Sequence, residues 1–210
     1  MSWKLYEADC FDVFPEIEDK SIDMVITDPP YNINFIPQRK TNSNKLYARQ
    51  GISNDNLSDN DFSKWLDELC FELNRVLKDD SYLFMFSGWS TIYLFQPILM
   101  KYFNVKSVCI WAKNNFGIGY YVRPQYEPFF MCLKGKPEKP KKAHSDLWFY
   151  NKCYPTNDEP VHSCQKPTDL IEDIINFYGV NSTLILDPFG GSGTTGVACQ
   201  NLNRNCILIE

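Results

Sequence analysis

Short apolar runs alternate with stretches of helical periodicity along this chain. Lys4-Leu5-Tyr6-Glu7-Ala8 predicts a first strand ending at Asp9, and a short helix or turn follows through Val13, Phe14, Pro15, Glu16 and Ile17. Residues 23–27 predict a second strand. Phe62, Trp65, Leu66, Leu69, Leu73, Val76 and Leu77 recur at helical spacing, which predicts a helix opening at Asp61 and stopping at Lys78-Asp79-Asp80-Ser81. Tyr82-Leu83-Phe84-Met85-Phe86 is an unbroken apolar run, as in a strand covered on both faces. A helix is predicted between Ser90 and Phe103, against the preference of Pro97, and strands over 105–112 and 126–133. Lys166-Pro167-Thr168 opens the next helix, with Asp169, Glu172 and Asp173 suited to its positive end and Gly179 to its stop. A strand over 183–187, a helix through 197–202 and a strand over 206–210 close the pattern.

Strands alternating with helices predict an α/β fold around a mainly parallel sheet. At 210 residues the chain is expected to form a single domain, 1–210. A polar segment from Asn34 to Asp61 fits no clear period, and a connection of that length usually carries function or is mobile; a proline-broken basic loop follows Leu133.

Composition narrows the function classes. Aromatic residues make up 15% of the chain, and no window reaches the roughly 18 apolar residues of a membrane span. The first residues do not resemble a signal peptide, so an intracellular, cytoplasmic protein is expected. Cys10, Cys70, Cys109, Cys132, Cys153, Cys164, Cys199 and Cys206 include no C-x-x-C pair, and only His144 and His162 accompany them. Zinc spacing is absent, and no metal is expected. Several of the cysteines sit inside apolar runs as small buried hydrophobes. The net charge of −5 is unevenly spread. Residues 34–50 carry Arg39, Lys40, Lys45 and Arg49 without an acid, and 101–144 carry a net +7, leaving the rest at −16. A basic face on an acidic body is what local phosphate binding needs.

Two constellations carry chemistry. The first is Asp28-Pro29-Pro30-Tyr31, which ends the strand over 23–27. Neither proline has an N–H, and each holds its predecessor extended. The turn therefore offers acceptors and almost no donors, beside an aromatic plate, and so suits a planar group bearing an NH₂, such as a nucleobase. The second is Gly191, Gly193 and Gly196, spaced G-x-G-x-x-G between a strand and a helix, with Glu210 ending the following strand. That is the context of a nucleoside-binding crevice. A dinucleotide and S-adenosylmethionine both fit it. The glycine loop stands late in the chain, without a second βαβ half after it, and this order disfavours a dehydrogenase.

Together these motifs resemble the beta subgroup of DNA amino-methyltransferases, whose signatures are a D-P-P-Y type tetrapeptide and a late glycine-rich cofactor loop. Asp187-Pro188-Phe189-Gly190-Gly191-Ser192-Gly193-Thr194-Thr195 resembles the family's D-P-F-x-G-S-G-T-T, and His162-Ser163-Cys164-Gln165-Lys166-Pro167 its H-P-x-Q-K-P, with Ser163 in place of a proline. Ala8-Asp9-Cys10 stands where the family has its acidic motif, and Ile110-Trp111-Ala112-Lys113 and Glu127 fit its later strands. Family members continue past the acid matched here by Glu210, which implies an unusually open cofactor site, an incomplete one, or impaired binding.

The resemblance implies a Rossmann-like methyltransferase fold with circularly permuted motif order and S-adenosylmethionine as methyl donor. The expected activity is methylation of the 6-amino group of adenine in double-stranded DNA, within restriction-modification. The alternatives are the 4-amino group of cytosine or a non-catalytic DNA- or cofactor-binding module. Asp28, Pro29, Pro30 and Tyr31 are the implied catalytic residues: Asp28 and the Pro29 carbonyl receive the amine, and Tyr31 stacks on the flipped base. Asp9, Cys10, Asp28, Lys166, Thr168, Asp187, Phe189, Gly191, Gly193, Thr194 and Glu210 are the implied cofactor-binding residues. The resemblance is weak or absent across 37–61 and 134–161, which are the candidate DNA-recognition insertions, and Arg39, Lys40, Lys45, Arg49, Lys113, Arg123, Lys139, Lys141 and Lys142 are the DNA-binding candidates. A homodimer and a cognate restriction endonuclease are candidate partnerships.

Overall fold

The computed structural model describes residues 3–34, 38–40, 46–48, 53–117, 119–151, 165–179, 181 and 183–210, with side chains left out at 38–40 and 46–48. Eight strands form one sheet in the order β1-β10-β9-β2-β5-β7-β6-β8. They are β1 (Trp3–Tyr6), β2 (Ile22–Thr27), β5 (Leu77–Phe86), β6 (Asn104–Ala112), β7 (Tyr126–Lys134), β8 (Leu147–Phe149), β9 (Leu184–Asp187) and β10 (Asn205–Ile209). A separate antiparallel pair, β3 (Gln38–Lys40) and β4 (Leu46–Ala48), lies in the stretch that has no sequence period. The neighbours β1, β10, β9, β2 and β5 are all parallel, and β7 alone runs against them, between β5 and β6.

The strands read as continuous apolar runs because helices cover both faces. Val25, Leu83, Met85, Leu186 and Ile209 face one core with α1 (Cys10–Val13), α2 (Asp59–Val76) and α3 (Ile92–Tyr102). Met24, Ile26, Phe84, Phe86, Ile185 and Leu208 face the other with α4 (Thr168–Tyr178) and α5 (Thr194–Asn201). Alternate residues of one strand thus feed opposite cores. Cys10, Cys70, Cys109, Cys132, Cys199 and Cys206 are buried and free, as packing residues. Cys153, Cys164 and His162 lie outside the described residues.

Several features depart from the sequence reading, whereas the helix expected across Pro97 is present. The first strand stops at Tyr6, where the Ala8 amide donates to the Glu210 carbonyl at 3.0 Å. The polar quartet 78–81 does not separate α2 from β5: the strand begins at Leu77 and the quartet is an irregularity within it. Leu77 pairs with Ile22 and Tyr82 with Met24, so four residues stand opposite Asp23 alone. Asp80, at φ 58°, makes the excursion. Leu147–Phe149, not expected to be a strand, pairs with the end of β6. Pro97 is accommodated inside α3 because it and Tyr93, whose carbonyl loses its partner, both face solvent. No helix among the described residues is long and apolar enough to cross a membrane.

Candidate active site

Parallel strands deliver their carboxyl ends to one edge. There β2 leads into Asp28, β9 into Asp187 and the glycine loop, and β10 into Glu210. The antiparallel β7 starts at this same edge, so Glu127, paired in register with Trp111, joins them. A cleft of about 850 Å³ opens here, within the range of ligand sites.

The glycine loop is shaped by backbone demands. Gly191 (φ 52°) and Gly193 (φ 79°) occupy the left-handed region, which costs other residues energy. A Cβ on Gly196 would lie 2.7 Å from Leu208 Cδ1, so its bareness lets α5 lie close on β10. Asp187 is buried and spent on the loop, accepting from the Phe189 amide at 3.1 Å and the Thr195 hydroxyl at 2.6 Å. Burial, opposed by these bonds, raises its pKa to about 6. Glu210 accepts from the Gly191 amide at 2.7 Å and remains exposed at the mouth. Asp9 caps α1 through the Phe11 amide at 2.9 Å. Cys10 forms wall, its thiol pushed up to about 12 chiefly by burial and then by Asp9, so it is no nucleophile at neutral pH.

The Asp28 turn is held from outside. Asp55, in the polar stretch and 2% exposed, accepts from the amides of Tyr31 at 3.0 Å and Ile33 at 3.2 Å. Asn32 exchanges two hydrogen bonds with the Leu57 backbone. Asp28 itself accepts from the Tyr31 hydroxyl and from Lys166 Nζ. Lys166 also reaches Glu127 Oε2 at 3.2 Å, and Lys113 binds Glu127 Oε1. Burial raises the Asp28 pKa, with Lys166 opposing and Glu127 adding to the rise. Burial would raise Glu127 too, but Lys166 and Lys113 outweigh it and hold the carboxyl down at about 2. Burial works against the charge on Lys166, but Asp28 and Glu127 overcome it, so the pKa rises.

Of the expected catalytic residues, Asp28, Pro29, Pro30 and Tyr31 all line the cleft. So do Asp9, Cys10, Lys166, Asp187, Phe189, Gly191, Thr194 and Glu210, whereas Thr168 and Gly193 do not. Lys113, expected on DNA, lies in the cleft against Glu127, 14% exposed, so its charge is spent inside. Tyr31, expected as a stacking plate, also ties its hydroxyl to Asp28. Arg123, Lys139, Lys141 and Lys142 are exposed outside the cleft. Arg39 and Lys40 lie on β3, without described side chains, and Lys45 and Arg49 fall outside the described residues. Glu127, Asp55, Trp65 and Phe86 are lining residues that sequence reasoning did not assign to the site. For Glu127 a signal existed, a lone acid in an otherwise apolar strand run.

A model of the DNA methylase family matches residues 22–210. The chain is 30% identical to the type II methyltransferase M.HpaI of Haemophilus parainfluenzae, spanning 100% of this chain and 70% of that one. The solved M1.HpyAVI complex with SAM superposes with a TM-score of 0.69 at 25% identity, covering 99% of this chain and 92% of that one. The PvuII DNA methyltransferase, cytosine-N4-specific by its title, shares the fold at a TM-score of 0.77 and 17% identity, over 100% and 82% of the two chains.

Proposed function

This chain belongs to the DNA methylase family, and on that premise we propose that it transfers a methyl group from S-adenosylmethionine to the 6-amino group of adenine in double-stranded DNA. The observation that carries the proposal is the convergence of the Asp28-Pro29-Pro30 turn and the glycine loop in one cleft.

The residues present fit the cofactor. Among the described residues, Asp9, Asp28, Asp55, Glu127, Asp187 and Glu210 line the cleft against Lys113 and Lys166, a balance that favours a sulfonium cation and repels a pyrophosphate. Glu210 would take the ribose hydroxyls, Phe189 and Trp65, whose ring centroids lie 5.8 Å apart, supply apolar wall, and Thr194 and Gly191 border the methionine end. Bound there, S-adenosylmethionine supplies an electrophilic methyl carbon.

The protein's task is the amine. Its lone pair is delocalised into the base ring and nucleophilic only when the nitrogen becomes pyramidal. Asp28 and the Pro29 carbonyl receive its two hydrogens and aim the lone pair, so positioning and fixed dipoles supply the rate. Asp28, its pKa raised by burial, is placed to receive the proton that the methylated amine sheds. The target base leaves the stack to reach this depth. Outside the cleft, the segment between β6 and β7 presents Tyr120 and Tyr121, 94% and 95% exposed, with Arg123 beside Phe116. These and the lysines at 139, 141 and 142 are the surface offered to DNA.

Transfer of tritiated methyl from S-adenosylmethionine to unmethylated plasmid DNA tests the reading. Label should appear in N6-methyldeoxyadenosine after nucleoside digestion and fall at least about 10²-fold in Asp28→Ala. Label in N4-methyldeoxycytidine would reassign the base, and equal labelling by the variant would remove Asp28 from the chemistry. DNA binding without any transfer would favour a binding module.

A further inference from the structure

Lys166 is 8% exposed, and its ammonium stands between two carboxylates, bonded to Asp28 Oδ2 and 3.2 Å from Glu127 Oε2. Its side chain is packed by rings, with the Phe86 centroid 5.0 Å and the Tyr31 centroid 5.7 Å from Nζ. Glu127 is held in turn by Lys113, whose ammonium lies 4.5 Å from the Trp111 ring centroid. Tyr31, Asp28, Lys166, Glu127 and Lys113 thus form one chain of contacts with alternating charge, drawn from the end of β2, the lead into α4, the start of β7 and the end of β6.

Methyl transfer makes opposing demands on this chain. At rest Asp28 needs a cation, because an unbalanced buried carboxylate is costly. During reaction the N–C bond forms as the C–S bond breaks, the sulfur keeps the bonding pair, and positive charge passes to the amine nitrogen. The nitrogen then gives a proton to Asp28, and from there to water. An ammonium fixed on Asp28 would compete for its lone pairs and repel the nascent positive charge. Glu127 offers the same ammonium a second seat on the far side.

We infer that Lys166 is a movable counter-ion shared by Asp28 and Glu127, and that Glu127 is the positioning residue that takes over its ammonium when a substrate amine occupies Asp28. This rests on the methyl-transfer reading. Lys166 needs to move little, since it already contacts both acids. Lys113 stays on Glu127 and keeps that carboxylate ionised. Asp187 adds a second negative charge from β9 near Asp28, and the Tyr31 hydroxyl contributes a neutral donor.

The test reads the carboxylate directly, without cofactor or DNA. In protein labelled with ¹³C at aspartate carboxyls, the Asp28 signal is the one lost in Asp28→Asn. Its titration midpoint should fall in Glu127→Gln, where Lys166 belongs to Asp28 alone, and rise in Lys166→Met, each by roughly one pH unit. The double variant Lys166→Met/Glu127→Gln removes one charge of each sign and should return the midpoint toward wild type. It also keeps the measurement available should Lys166→Met alone fail to fold. In single-turnover transfer at saturating S-adenosylmethionine, Glu127→Gln should slow the methyl step about tenfold. A midpoint unmoved by Glu127→Gln, or an undiminished methyl step, overturns the inference. The expected titration shifts in the variants, together with wild-type protein that labels no DNA, would instead overturn the methyl-transfer reading and leave the shared counter-ion standing.

Discussion

Asp55 shows how a single side chain sets up the proposed chemistry from outside the catalytic motif. Its carboxylate accepts the amides of Tyr31 and Ile33, fixing the turn that presents Asp28. Asp55→Ala is expected to destabilise the fold by about 1–3 kcal/mol in urea unfolding, while Asp55→Asn, which keeps an acceptor oxygen, costs less. Asp187 makes a prediction about pH. Its folded pKa, raised from 3.8 to about 6, means the native state binds the proton more tightly than the unfolded chain. The stability so gained is fully present below pH 3.8 and lost as pH rises through about 6, a change of about 3 kcal/mol by linkage. The stability difference between wild type and Asp187→Asn, measured by denaturation from pH 3 to 8, should therefore shift against wild type across that window and then flatten. Asp28 and Asp187 were legible in the sequence because each stands beside prolines or glycines that only an irregular backbone requires. Asp55 was not: it lies 24 positions from Tyr31 in a stretch without period, and only the folded chain brings them together.

Among elements, the site depends on β2 and β9 lying side by side, and Asp23 pins them at the opposite edge. Its carboxylate accepts from Lys78 at 2.6 Å, the Thr183 amide and hydroxyl at 3.0 and 2.8 Å, and the Leu184 amide at 2.8 Å. Burial pushes its pKa up, but these four donors together win and hold it below the usual range. Its contribution is therefore present above pH 3.8 and fades as pH falls through the depressed value. Asp23→Ala should cost about 1–3 kcal/mol at pH 7, and less at pH 3, by equilibrium unfolding. The strands of this edge were readable as apolar runs, and the helices as 3.6-residue periods. The periodicity puts Leu77 in the helix and the strand only from Tyr82, because the polar quartet between them looks like a stop. Physically the quartet does interrupt the ladder, but the paired residues on either side keep it one strand. The β8 strand, three residues long, offers too few positions for any period to show.

Across the whole molecule, charge is divided between an acidic body and basic segments. The cleft is lined by acids, while Lys139, Lys141 and Lys142 lie exposed in the proline-broken stretch that follows β7. On the proposed function this separation would reconcile a net charge of −5 with a polyanionic substrate, the phosphates meeting the lysines and the sulfonium the acids. The sequence made the division visible, but assigned Lys113 to the wrong side of it, because distance along the chain says nothing about which way a lysine between two strands turns. Phosphate contacts release counterions, so affinity should fall linearly on a log–log plot against salt, with a slope near −0.9 per phosphate neutralised. Replacing Lys139, Lys141 and Lys142 together by Ala should reduce that slope by roughly 2 to 3 and weaken binding similarly for all sequences, since phosphate contacts carry no base information. Lys113→Ala, removing a charge already spent on Glu127, should leave the slope unchanged while slowing methyl transfer. Fluorescence anisotropy with duplex oligonucleotides across 50–300 mM salt separates the two cases, about three phosphates lost in one and none in the other. A slope indifferent to the triple replacement would move the DNA-facing surface away from this stretch, toward Arg123 and its exposed tyrosines.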